Sequence, residues 1–94
     1  MDLPTAFEWD HAKAEANFAK HGVRFDFAVG IFLDEARLEQ VDARQPYGED
    51  RINVIGIVED VVLQVTYTMR GDTARIISAR RASRKERQRY GHHA

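Results

Sequence analysis

Ninety-four residues, 44% of them apolar, allow one hydrophobic core and no second domain. With no cysteine there is neither a disulfide framework nor a thiolate metal site, which agrees with a reducing cytoplasm. The net charge of −1 conceals an asymmetry: from Arg70 onward eight basic residues face only Asp72 and Glu86, a net of +6, and the rest of the chain carries −7. The first residues, Met1 to Thr5, have neither the basic nor the apolar region of a signal peptide, and no apolar run approaches the ~20 residues of a membrane span. The chain therefore reads as one soluble, cytoplasmic domain over residues 1–94.

In chain order, Phe7-Glu8-Trp9 is a short extended piece, and Asp10 is placed to N-cap a helix from His11 to His21 that Gly22 stops. Ala12, Ala16 and Ala19 recur at the spacing of a small apolar side that lets this helix lie against a sheet. A second short helix is expected over Phe25 to Leu33, with Ala28, Val29, Ile31 and Phe32 as core. Arg37 to Ala43 alternates weakly as a strand, and Gln45-Pro46-Tyr47-Gly48 is a turn cluster. Arg51 to Val58 is a strand, Glu59-Asp60 a tight turn, and Val61 to Met69 a second strand. In that strand Val61, Leu63, Val65 and Tyr67 should face the core, and Gln64, Thr66 and Thr68 water. After Arg70-Gly71-Asp72, the last strand runs from Ala74 to Arg80, and consecutive short turns make the sheet antiparallel. Ser83 and Glu86 form a capping box, so a final helix begins at Arg84. Its basic arc, Arg84, Lys85, Gln88 and Arg89, should be exposed, and the residues after Gly91 are expected to be disordered. The fold class is α+β: two N-terminal helices on an antiparallel β-sheet, with a C-terminal helix.

The chemistry is narrowed by what is missing. The histidines His11, His21, His92 and His93 do not show the converging pattern of a zinc site, so no metal is expected. There is no G-x-G-x-x-G and no P-loop, so no nucleotide cofactor is expected, and Ser78 and Ser83 lack a neighbouring histidine. What remains is a basic strand-to-helix end, Ile76 through Tyr90, with Tyr67 and Tyr90 near it. Arginines neutralise phosphates and aromatic rings stack on unpaired bases, a combination suited to RNA; a solvated or partner-binding face is the other reading. Metal-free RNA cleavage needs a base for the 2′-OH, a cation for the phosphorane charge and an acid for the 5′-oxygen. Arginine cannot be a base, so Arg75, Arg80 and Arg81 can only stabilise charge or clamp phosphate. His21, Glu86 and the tyrosines are the proton-transfer candidates, although Glu86 has a competing capping role and His21 suits a helix C-terminus.

Two blocks, Lys20-His21-Gly22-Val23 and Arg75-Ile76-Ile77-Ser78-Ala79-Arg80-Arg81-Ala82, together resemble the BrnT toxins. So do Phe7-Glu8-Trp9-Asp10, Lys13, Asn17, Phe25, Ala28, Phe32, Arg51, Ile55-Gly56, Tyr67-Thr68, Arg70-Gly71, Glu86-Arg87 and Tyr90. The likeness is weakest between Asp34 and Asp50, and Arg24 stands where a small N-capping Ser or Thr is the family's pattern. The resemblance implies a RelE-like fold and a ribonuclease toxin of a type II toxin–antitoxin pair that inhibits translation; with no metal site expected, the reading is a metal-independent endoribonuclease. The resemblance further implies a ribbon-helix-helix antitoxin, BrnA-like, that forms a hetero-oligomer with the toxin and binds operator DNA. On this reading Arg80 and Arg81 stabilise the phosphate charge, and Lys20 and His21 contribute a cation or a proton-transfer group. Arg51, Arg70, Arg75 and Arg84 hold RNA phosphates, and Tyr67 and Tyr90 stack on bases. The alternative is a non-catalytic nucleic-acid or partner-binding module acting in a DNA-binding repressor complex. Strand alternation sends Arg80 and Arg81 to opposite faces, so one of them should be structural unless the strand ends or twists between them.

Overall fold

The computed structural model of the chain describes residues 3–42 and 49–93. Helix α1 (His11–His21) starts where the Asp10 carboxylate accepts the Lys13 N–H at 2.9 Å. It stops where Gly22, at φ 70°, donates its N–H back to the Phe18 carbonyl at 2.8 Å. Both ends are the expected ones, but the buried side is not. Ala12, Ala16 and Ala19 face solvent, and the buried residue of the helix is Asn17, 8% exposed. The reason is polar. Strand β1 (Ala6–Glu8) flanks the last strand, Thr73–Arg81, only from Thr73 to Arg75, so the backbone of Ala79 has no strand on that side. The Asn17 amide takes that place: Nδ2 donates to the carbonyls of Ala79 at 2.8 Å and Val23 at 3.1 Å, and Oδ1 accepts the Ala79 N–H at 3.1 Å.

Helix α2 (Phe25–Ala28) tightens into a 3₁₀ turn over Val29–Leu33. Arg24 does not cap it with a side-chain bond and instead forks onto Asp26 at 2.7 and 3.0 Å. Phe25, Ala28, Ile31 and Phe32 are buried, as their crowding requires, and Leu33 is 80% exposed. Trp9 meets Phe25 edge-on at 5.9 Å, which ties the entry of α1 to the core.

The remaining strands are β2 (Leu38–Asp42), β3 (Arg51–Val58), β4 (Val61–Arg70) and β5 (Thr73–Arg81), and the sheet order is β1-β5-β4-β3-β2. Positive φ at both Glu59 (45°) and Asp60 (69°) closes the β3–β4 hairpin in the mirror-image turn that matches strand twist. The expected turn over Gln45–Gly48, and Ala43, lie outside the described residues. Strands β2 to β5 pair antiparallel, but β1 runs parallel to β5, Phe7 opposite Ala74, so the sheet is mixed. The antiparallel expectation followed consecutive turns, and β1 reaches its partner through none of them; it returns from the far end of the sequence.

One sheet face meets α1 and α2 through Val54, Leu63, Val65, Tyr67, Ala74, Ile76 and Ala79. The other was expected to be wet, yet Gln64 is 7% and Thr68 1% exposed, and Ile55 is buried there too. Helix α3 (Arg84–His93) comes down on this face, with Arg89 Nη2 donating to Gln40 Oε1 at 3.0 Å and Tyr90 Oη to Asp34 Oδ2 at 2.6 Å. Ser83 Oγ accepts the Glu86 N–H at 3.2 Å and Glu86 Oε1 accepts the Ser83 N–H at 2.8 Å, the expected capping box. A bulge interrupts β5: Thr66 pairs Ser78 but Tyr67 pairs Ile76, which leaves Ile77 as the extra residue. Ala74, Ile76 and Ala79 thereby share the core face, while Arg75, Ser78 and Arg80 share the other, although Arg75 and Arg80 are an odd number of residues apart. Among the described residues no helix is long and apolar enough to cross a membrane.

Candidate nucleic-acid interface

The face under α3 is polar because each strand contributes its alternate residues to it. Asp42 pairs across from Arg51, Asn53 from Thr66, Thr66 from Ser78 and Gln64 from Arg80. These residues, with Ile77 and Glu86, line an open cleft of roughly 340 Å³. A neighbouring cleft of roughly 170 Å³ is lined by Asp10, Lys13, Glu49, Arg51, Thr68, Arg70, Arg75, Ile76 and Ile77. Arg51 and Ile77 border both, so Arg51, Arg70, Arg75 and Arg80 are gathered along one continuous polar surface. Two of these cations are paired at longer range, Arg75 to Glu8 at 3.3 Å and Arg70 to Glu49 at 3.6 Å.

Arg80 is firmly placed. Its Nη1 and Nη2 donate to Glu86 Oε1 at 2.7 Å and Oε2 at 2.9 Å, a two-bond fork, and Nη1 also reaches the Arg81 carbonyl at 3.2 Å. The hydrogen bonds from Arg80 hold the Glu86 carboxyl below its ordinary range, and the same pairing raises Arg80. Glu86 occupies the end of the guanidinium. The side edge, Nε–H with the outer Nη2–H, donates to no described residue and has the geometry to take two oxygens of a phosphate. Glu86 is thus engaged by the fork and the helix cap together, which suits it to holding Arg80 rather than to moving a proton.

The other expected site residues are scattered. Arg81 pairs opposite Leu63, a residue of the core face, and its side chain is exposed at the strand end; it points away from Arg80, as alternation requires. Arg84 is exposed at the start of α3, beside the solvent-facing Lys85, Gln88 and Arg89. Lys20 and His21 lie in the last turn of α1, and neither lines either cleft. Tyr67 cannot stack on a base: it is 1% exposed, packed edge-on against Phe32 at 4.9 Å, with its hydroxyl donating to Glu39. Burial, and then Glu39, push its phenol well above the ordinary range. Tyr90 is half-buried, and burial together with its bond to Asp34 pushes it up to about 12, so it is a neutral strut rather than a base at physiological pH. Asn53, Gln64, Ser78 and Asp42 were not singled out by the sequence reading. The period-2 alternation of β4 did place Gln64 and Thr66 on one face, and extending it across the hairpin to Asn53 would have found the cleft floor. Among the described residues no three His, Cys, Asp or Glu side chains converge as a metal-binding group.

Residues 9–86 match the family described as the ribonuclease toxin, BrnT, of type II toxin–antitoxin systems. No curated protein matches the chain.

Proposed function

This chain belongs to the BrnT family of type II toxin–antitoxin ribonuclease toxins, and on that premise we propose that it is a metal-independent endoribonuclease that inhibits translation in the cytoplasm, on a RelE-like fold. The observation that carries the reading is the side edge of Arg80, uncommitted among the described residues, on a side chain that lines a surface shared with Arg51, Arg70 and Arg75. In the reaction a ribose 2′-oxygen bonds to the adjacent phosphorus and the P–O5′ bond breaks, leaving a 2′,3′-cyclic phosphate and a 5′-hydroxyl. The proton lost by the 2′-OH goes to an acceptor, and one is returned to the 5′-oxygen. Arg80 stabilises the extra negative charge of the five-coordinate phosphorus, and because Glu86 already orients it, little reorganisation is needed as that charge develops. Arg51, Arg70 and Arg75 hold flanking phosphates, and Arg84 extends the cationic surface onto α3. The partner is a ribbon-helix-helix antitoxin of the BrnA kind, forming a hetero-oligomer that binds operator DNA. An apolar groove containing Phe27, Val29, Leu33 and Ile57 supports a protein partner.

The second reading, a non-catalytic module in a repressor complex, draws on the Arg80–Glu86 pair, which would be equally at home as a strand-to-helix brace. Cleavage of single-stranded RNA by the purified chain in EDTA separates the two. The parent should cut, Arg80→Ala should cut about 10²–10³-fold more slowly, and Arg81→Ala, on the opposite face, should lose much less. Loss of cutting in the chelator, or an Arg80→Ala variant as fast as the parent, would sink the proposed mechanism.

A further inference from the structure

We infer that the cleft floor formed by Asn53, Gln64 and Ser78 is a base-reading subsite, which takes the edge of one unpaired RNA nucleobase whose phosphates lie on Arg51 and Arg80. The inference rests on the ribonuclease reading of this face and adds to it the part that selects among RNA sequences. Gln64 is 7% exposed, and its side-chain amide forms no hydrogen bond with a described residue. The amide atoms keep some contact with solvent and Gln64 lines the cleft, so a ligand there would meet an uncommitted donor and acceptor. Asn53 is oriented: Thr66 Oγ1 donates to its Oδ1 at 2.7 Å, so the amide presents its NH₂ group, for which no described residue is an acceptor. Ser78 lies in the same cross-strand row, on the other side of Thr66, and Gln64 pairs directly with Arg80.

This set fits a base edge better than other ligands. Adjacent amide donors and acceptors match the paired donor and acceptor groups along a nucleobase edge, as in the bidentate recognition of bases by Asn and Gln. The floor itself carries no cation, only amides and a hydroxyl, which leaves phosphates to the arginines at its border. The volume, roughly 340 Å³, falls at the small end of the roughly 300–1,000 Å³ of ligand clefts. Ile77, thrust out by the bulge, provides an apolar surface beside the floor for the face of the base.

The test measures fluorescence anisotropy at fixed salt with four short RNA probes that differ in one base and carry 2′-O-methyl riboses, so that none can be cleaved. The parent should favour at least one base by roughly tenfold. Asn53→Ala and Gln64→Met should erase that preference, while Arg80→Ala should weaken all four probes alike. Gln64→Met keeps the side chain's bulk, and Asn53→Ser keeps a hydroxyl toward Thr66, so a folded variant is available at each position. A parent that binds all four probes equally, or folded Asn53 and Gln64 variants that keep its preference, would overturn the subsite. Failure of the ribonuclease reading shows separately, as unmodified RNA of the preferred sequence left intact.

Discussion

The two faces of this sheet are built from the same strands and held by different forces. Toward α1 and α2 the contacts are mainly apolar, with Leu63, Val54, Val65 and Ala79 fully buried and the Asn17 amide the polar exception. Toward α3 they are hydrogen bonds, individually worth about 0.5–1.5 kcal/mol net, and they leave amides and guanidinium edges uncommitted. If the proposed function holds, stability is concentrated on one side and RNA binding on the other, so damage to the first should be seen mainly in unfolding and damage to the second in RNA recognition.

The largest effect should come from Leu63→Ala, which removes a fully buried side chain and should cost about 2–5 kcal/mol in chemical denaturation. The surviving folded protein should bind RNA as the parent does; weakened affinity per folded molecule would blur the division between faces. Asn17→Ala tests whether polar contacts are always the weaker ones. It strands the Ala79 N–H and carbonyl at the edge of β5, and about 2 kcal/mol should be lost, with faster hydrogen exchange at Ala79. Tyr90→Phe removes the bond to Asp34 and should cost about 1 kcal/mol, or a drop in melting temperature of about 4–8 °C. An unchanged melt would mean that α3 does not depend on this strut.

The smallest effect is acidic. Burial alone would raise Asp34, but the bonds it accepts from the Tyr90 hydroxyl and the Ile57 and Ala36 N–H groups outweigh it, and the carboxyl is lowered. Glu86 is also lowered, chiefly by Arg80. Both groups therefore contribute stability that is complete above the ordinary carboxylate range and is lost as pH falls through that range toward their folded values. Melting temperatures taken from pH 7 downward should fall first below the ordinary Glu pKa of about 4.3, and less steeply in Glu86→Gln. Identical pH slopes for parent and variant would remove Glu86 from the account.

Much of this architecture could be read locally. Asp10 and Gly22 bound α1, Ser83 and Glu86 open α3, and the β3 limits follow from an uninterrupted run of strand residues. The parallel place of β1 could not be, because three residues carry no signal for a partner so distant in sequence. The alanines misled because spacing reports a shared helix side without saying whether that side is buried, and the Asn17 amide decided otherwise. Tyr67 was placed correctly on the core face, and that same placement removes it from RNA stacking. The cationic end was visible as composition; the gathering of Arg75 and Arg80 on one face, with Arg81 on the other, depended on pairing across strands.

The extra residue at Ile77 makes β5 a matter of counting as much as of chemistry. With it, Arg75 and Arg80 serve one side of the sheet while Ala74, Ile76 and Ala79 fill the other. Without it, the segment on one side of the missing position would rotate by half a turn, turning either Ala74 and Ile76 or Ala79 outward. For the fold, Ile77 should therefore accept replacement by Val with little consequence, whereas deleting it should be ruinous, since the site is encoded partly in the length of the strand.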